Sequence, residues 1–305
     1  MRRLTPLNAP GLEAAVVHVR ELRQAGVKDW RMNAGDLETP MRGTRARPGL
    51  DGNSFEARAK AVQLLIGEGR FISRLSAATL LLVPVPKRND LIDVGAVRPH
   101  KPPRRLGVAG HQIQPGVLSR VPVAPHWLPA PEDAWALLGA VCRVEDLVVA
   151  GDHLISTTRK SRGPGCSFED LVDASIRFGR CQGVGNLKAA LPQVRHGVAS
   201  PPETMVRLRI VKAGFEEPVT NCLVPTYGRV LHADLGYPQW RIAIEYDGAY
   251  HFEHGPAQMK FDNERCERMI DAGWTVLRLT SLDLKSPAGF LRRLARAIER
   301  AKQPK

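Results

Sequence analysis

The sequence lacks any run of 18 or more apolar residues, the length that a membrane-spanning helix needs, so no membrane span is expected. Arg2 and Arg3 are not followed by the apolar stretch of a secretory signal, and no signal peptide is expected. The five cysteines are scattered and none stands at Cys-x-x-Cys spacing, which argues against a zinc site. Together these absences predict a cytoplasmic protein that keeps its thiols reduced.

Acidic residues are scarce relative to basic ones. The chain of 305 residues carries 31 Asp and Glu against 44 Lys and Arg, a formal net charge of +13. Such an excess favours a polyanionic partner, with nucleic acid as the first candidate. A basic composition with a solvated surface is the alternative, and the salt dependence of binding separates the two.

Residues 241–251 predict a β-strand that ends at a sharp bend. Apolar positions alternate with Glu245 and Asp247, so the two carboxylates share one face of the strand. These carboxylates repel each other unless a cation lies between them, and hard cations bind carboxylate oxygens. Gly248 allows the bend, and His251 follows within reach of the same face.

A shorter strand is predicted just upstream, over residues 230–235. Glycine and proline in the following segment, 236–240, favour a hairpin connection between the two strands. Folding this hairpin brings Asp234 beside Glu245. Several carboxylates and a histidine in one place are typical of a site for metal-assisted hydrolysis.

The spacing from Asp234 to His251, Asp-(ten residues)-Glu-x-Asp-Gly-x-x-His, resembles the Vsr-like (very-short-patch-repair endonuclease-like) branch of the PD-(D/E)xK restriction-endonuclease superfamily. Residues 262–265 and 272–278 look like the helix and the last core strand of that family. Upstream, Glu203 occupies the place of the family's acidic residue on its first helix. The resemblance covers residues 195 to 302, about the last third of the chain.

This resemblance implies a three-layer α/β domain with a central mixed sheet and a DNA endonuclease that depends on Mg²⁺ or Mn²⁺. Asp234 and Glu245 become the expected metal ligands. Most of the superfamily has a lysine two residues after the glutamate, where this chain has Asp247. That departure removes the usual positive partner of the attacking water, and the resemblance makes His251 the candidate general base or phosphate contact.

Glu203 allows two interpretations. By the resemblance it is an outer ligand or a water-orienting acid and belongs, like Asp247, to the catalytic set. Alternatively, Ser200 and Glu203 form a capping box at the start of a helix, which explains Glu203 structurally.

Basic residues near these acids are candidate contacts to nucleic acid. Arginine suits bidentate binding of phosphate, and an ion pair with one of the site's acids is the alternative for Arg278. A proline-rich loop over residues 98–105 could contact phosphates without reading bases, or could be a solvated hairpin tip. The candidates are Arg265, Arg278, Lys260, Arg104 and Arg105.

The length of the chain predicts more than one domain. An irregular or helical segment is expected over 1–40, a smaller α+β domain over 41–165, a helical connector over 166–195 and the endonuclease-like domain over 196–305. The central block resembles the middle region of AbiEi-type antitoxin-like proteins. DNA is the expected partner, and a homodimer and a toxin or other protein partner stay open.

Three functions follow from the sequence. The first is a metal-dependent DNA endonuclease, and the second is a nuclease fold that binds DNA without cutting it, as a regulator or antitoxin-like module. The third is a partner-binding structural protein, in which the acidic cluster is a solvated face of the strand. Metal-dependent cleavage favours the first function, and salt-sensitive binding without cleavage favours the second.

Overall fold

A computed structural model describes residues 15–47, 49–86, 90–122, 127–156, 163–247 and 255–303, with side chains from 263 onward in the last range. In these ranges no helix combines the length and apolar character needed to cross a membrane. All five cysteines fall within them, and no disulfide joins any two of them.

The described chain alternates helices and strands, which confirms the predicted α/β class. The strands are β1 (Val16–His18), β2 (Thr44–Ala46), β3 (Arg70–Ile72), β4 (Ile92–Val97), β5 (Val108–Ile113), β6 (Val219–Thr226), β7 (Arg229–Tyr237), β8 (Ile242–Tyr246) and β9 (Thr275–Leu279). The helices are α1 (Val19–Gln24), α2 (Asp29–Met32), α3 (Phe55–Leu65), α4 (Arg74–Leu80), α5 (Pro131–Leu138), α6 (Val144–Ile155), α7 (Phe168–Arg177), α8 (Val184–Ala190), α9 (Pro201–Lys212), α10 (Gly255–Asp271), α11 (Ser281–Lys285) and α12 (Ala288–Lys302).

The chain divides into two compact units. The first takes in the described residues up to Leu81, together with Val85–Val141 and Asp173–Val184. The second holds Leu82–Pro84, Cys142–Val172 and the described residues from Gly185 onward. This division groups α6 with the C-terminal unit, whereas the sequence-based boundary at 165 groups it with the central domain.

The first unit contains a two-stranded sheet, β1-β2, and a three-stranded sheet of order β3-β4-β5. β4 and β5 run parallel, with Ile92 opposite Val108, so the hairpin interpretation of the loop at 98–105 is wrong. Before a parallel strand can form, the chain must return to the end of the sheet at which the preceding strand began. Arg104 and Arg105 are exposed on this returning segment, where an Nη1–H of Arg105 donates to the carbonyl of Arg42 at 2.6 Å.

The second unit contains a mixed four-stranded sheet of order β6-β7-β8-β9, in which β8 and β9 are parallel and the other pairs antiparallel. One face carries an apolar cluster that includes Val206 of α9 and Leu294 of α12. The other carries a cluster with Met269 of α10 and Ala243 of β8. The predicted three layers are therefore present, and β8 is covered on both faces.

A buried ion pair joins α6 to α9 within the second unit. The Asp152 carboxylate is fully buried and accepts hydrogen bonds from Arg207 at 2.8 Å and from the hydroxyl of Thr204 at 2.8 Å. The backbone N–H of Arg195 donates to its other oxygen at 2.7 Å. Arg207 also donates to Glu217 at 2.6 Å. The two charges are compensated in place, which the cost of burying an ion requires.

Replacing Asp152 with alanine should destabilise the second unit by about 3–5 kcal/mol, because the Arg207 guanidinium stays buried and loses a partner. The measurement is denaturant unfolding of the full chain. Glu145→Ala is the matched control, since it removes partly exposed contacts between the same two helices, to Lys212 at 3.2 Å and Arg209 at 3.8 Å. This control should cost less than about 1 kcal/mol. Equal losses in both variants would contradict the interpretation.

Candidate functional site

Three acidic residues meet at the end of β8. Leu235 pairs with Ile244 across the antiparallel strands, and the same register places Asp234 beside Glu245. The backbone N–H of Tyr246 donates to an oxygen of Asp234 at 2.8 Å. The predicted hairpin therefore brings these two carboxylates together, and Asp247 follows directly after the strand.

The alternation of side chains along β7 breaks at Asp234. Leu231 and Ala233 belong to the apolar cluster on the α10 side of the sheet. Leu235 and Tyr237 belong to the cluster on the opposite side, although a regular strand would place all four on one face. The face on which Asp234 lies therefore does not follow from the sequence pattern.

Glu245 is 3% exposed. Arg265, from α10, donates from Nη2 to its Oε2, and Nη1 of the same guanidinium donates to the carbonyl of His232 at 2.7 Å. Oε1 of Glu245 is shielded from solvent and finds no hydrogen-bond partner in the described part of the chain. Burying a carboxylate oxygen without a hydrogen-bond partner costs free energy. A hydrogen-bond donor or a cation that contacts Oε1 would therefore be bound favourably.

Burial raises the pKa of Glu245 from its usual 4.5 to about 8, and the nearby charge of Asp234 adds to this increase. The Arg265 guanidinium lowers the same pKa and offsets part of the effect. Burial raises the pKa of Glu245 more than the contact with Arg265 lowers it, because only one of the two carboxylate oxygens is paired. Burial therefore favours the protonated form of Glu245 when no further cation is present.

Arg278 is engaged by the acid that follows β8. Its Nε–H donates to Asp247 at 2.7 Å, and an Nη1–H donates to the side-chain oxygen of Asn263 at 2.9 Å. The ion-pair alternative for Arg278 is therefore confirmed. Asn263 was missed as a site residue, although it lies in the same short segment, 262–265, that carries Arg265.

Glu203 takes part in a structural contact at the start of α9. It is buried and accepts hydrogen bonds from the hydroxyl of Ser200 at 2.7 Å and from the backbone N–H of Ala199 at 2.9 Å. The Ser200 side chain makes no capping hydrogen bond to the helix backbone, so the reciprocal capping box is wrong. The Glu203 carboxylate instead stabilises the turn before α9 through its hydrogen bonds with Ser200 and Ala199.

The remaining candidates belong to the first unit or have no described side chain. His251 lies outside the described residues. Lys260 lies within α10, and its side chain is outside them as well. Arg104 and Arg105 belong to the first unit, whereas the acids belong to the second.

The donor set at the end of β8 suits magnesium by its chemistry. Mg²⁺ prefers oxygen ligands, keeps several waters and is commonly held by one or two carboxylates, which Asp234 and Glu245 could supply. Oε1 of Glu245 is the buried atom that lacks a partner. Within the residues that the structure describes, no group of three or more His, Cys, Asp or Glu is arranged to hold a metal.

Comparisons with known proteins identify distant relatives. No family model matches the chain. The uncharacterized proteins MT2308 and Rv2248, from two strains of Mycobacterium tuberculosis, are each 26% identical over 145 residues, which is 46% of this chain and 52% of theirs. The chain thus spans about half the length of the curated relatives it matches.

A solved structure also resembles the chain at a low level. The crystal structure of RV2827C protein from Mycobacterium tuberculosis is 18% identical, and the match covers 60% of this chain and 78% of that chain with a TM-score of 0.35. This likeness supports no functional argument, and the relatives' names state no activity. The functional argument therefore depends on the geometry at the end of β8.

The raised pKa of Glu245 predicts a pH-dependent loss of stability. Between pH 4.5 and about 8 the folded chain keeps a proton that the unfolded chain has released. Wild type should therefore lose stability relative to Glu245→Gln as pH rises through this window, by up to about 1.4 kcal/mol per pH unit. Urea unfolding of both proteins at three pH values measures the difference. A difference that does not change with pH would refute the proposed burial of the charge.

Proposed function

We propose that the chain is a metal-dependent endonuclease that hydrolyses phosphodiester bonds in DNA. The observation that carries the proposal is the Glu245 carboxylate, which is buried beside Asp234 and has one oxygen without a partner among the described residues. This arrangement is unfavourable in isolation and becomes favourable when a cation is bound. The strand and helix order of the second unit and its resemblance to the Vsr-like branch are compatible with this function.

Asp234 and Glu245 would hold Mg²⁺ or Mn²⁺ in this proposal. A divalent ion, when bound, polarises a phosphoryl oxygen and lowers the pKa of a coordinated water. Asp234 keeps one oxygen oriented through the backbone N–H of Tyr246. Glu245 is oriented by Arg265, which is itself fixed by the carbonyl of His232.

Arg265 offers a positive charge at a site that lacks the superfamily's lysine. Its guanidinium is held from two sides, so its position changes little when Glu245 becomes fully charged. We assign His251 to the role of general base or phosphate contact, as the resemblance implies. DNA is the proposed partner and the cytoplasm the proposed location, and a homodimer would provide two sites for two strands.

A nuclease-fold regulator that binds DNA without cutting it is the second candidate. Two contacts favour it, because Arg265 and Arg278 already occupy oxygens of Glu245 and Asp247. Asp247 also replaces the lysine that most of the superfamily has near the attacking water. In such a protein the acids would stabilise the sheet and a toxin or other protein would be a partner.

Cleavage of supercoiled plasmid in Mg²⁺ or Mn²⁺ tests the proposal. Asp234→Asn and Glu245→Gln should lower the nicking rate by about 100-fold or more, because a metal ligand supplies several kcal/mol of charge stabilisation. His251→Ala should also lower it if the imidazole acts as base. Glu267→Gln is the matched control, since Glu267 is an exposed acid on the same helix as Arg265.

The outcomes separate the two candidates. Nicking that requires metal, survives in Glu267→Gln and is lost in the Asp234 and Glu245 variants supports the endonuclease. DNA binding that weakens with salt, with no cleavage by wild type in either metal, supports the regulator. Nicking that persists in Glu245→Gln would remove the site from consideration.

A further inference from the structure

Three exposed arginines form a line on the last helix of the second unit. Arg292, Arg296 and Arg300 lie four residues apart on α12, which places them on one face. We call these three residues the arginine stripe. At 1.5 Å per residue they are about 6 Å apart along the helix axis, so the stripe is about 12 Å long.

The opposite face of α12 is committed to the core. Phe290, Leu294, Ala297 and Ile298 are buried in the apolar cluster that also contains Ile244 of β8. A helix that binds a membrane surface inserts its apolar face, and here that face is already covered by the sheet. The stripe is therefore a fixed feature of the folded unit, directed outward.

The stripe differs from neighbouring arginines in its charge environment. Arg293 pairs with Asp283 at 2.9 Å, and Arg265 and Arg278 pair with site acids. Among the described residues, no ion pair involves the side chain of an arginine in the stripe. Like charges four residues apart destabilise a helix, so an anionic partner would relieve a repulsion that this stripe maintains.

The helix that carries the stripe contacts β9, the strand beside β8. Arg293, next to the first arginine of the stripe, donates to the carbonyl of Arg278 at 3.4 Å. Arg278 in turn donates to Asp247 at the end of β8. Guanidinium groups suit bidentate contact with phosphate, so the stripe offers three such groups on the same unit that carries the acids.

We infer that the arginine stripe binds the phosphate backbone of duplex DNA without reading its bases. This inference rests on the proposed function for its substrate and adds the surface that holds it. Phosphate contacts set the position of a protein on the duplex, and they make its affinity depend steeply on salt.

Binding without cleavage tests the inference. Fluorescence anisotropy of a labelled DNA duplex is recorded in EDTA from about 50 to 200 mM salt. Changing Arg292, Arg296 and Arg300 together to Gln should lower the slope of log K against log salt by about 2.7, which is 0.9 for each lost contact. The control changes Arg20, Arg180 and Lys188 to Gln and removes equal charge from exposed positions elsewhere. The control should retain the wild-type slope.

The results distinguish this inference from the proposed function. A wild-type slope in the stripe variant, or an equal loss in the control, overturns the inference even if metal-dependent nicking is intact. Failure of wild type to bind duplex DNA also overturns it. A reduced slope in the stripe variant alone supports the stripe, and it does so even if wild type proves unable to cleave. Circular dichroism spectra that match wild type exclude misfolding as the cause.

Discussion

The withdrawal of the Glu245 carboxylate from water is the constraint around which the second unit is organised. A carboxylate buried near the end of a central strand is tolerated only where neighbouring groups compensate it. Arg265 meets part of that requirement, which ties α10 to the face of the sheet that carries Glu245. Asp234 on the adjacent strand works against it and raises the pKa of Glu245. The balance is left incomplete, since Oε1 of Glu245 has no hydrogen-bond partner among the described residues.

The arginines of this unit separate into two groups with different consequences. Arg207 and Arg265 lie inside ion pairs and stabilise the packing of helices on each other and on the sheet. The stripe on α12 has solvent on its outer side and no ion pair with described residues, so it adds charge without adding internal contacts. The first group belongs to the stability of the fold, and the second is the surface for which we propose DNA binding.

Much of the second unit could be predicted from local patterns. The alternation in β8, the turn that follows Tyr237 and the stop of α10 at Gly273, where φ is +80°, all act over a few residues. The parallel pairing of β4 with β5 could not be predicted, because two short strands separated by a loop are compatible with either direction. The face of Asp234 was also unpredictable, since the break in β7 depends on how the sheet is covered.

The sequence by itself determined where β7 and β8 lie and that Asp234 and Glu245 meet across a hairpin, because hydrophobic periodicity and turn residues act locally. It did not predict β1, which lies in the segment 1–40 expected to be irregular or helical. Only the tertiary structure decided which charges are paired. Glu245 meets Arg265 across 20 residues, and Asp152 meets Arg207 across 55. No local pattern specifies such partners, since they depend on how helices pack on the sheet. The same packing decides that Oε1 of Glu245 has no hydrogen-bond partner among the described residues. In the proposed function, this is the oxygen that a ligand would contact.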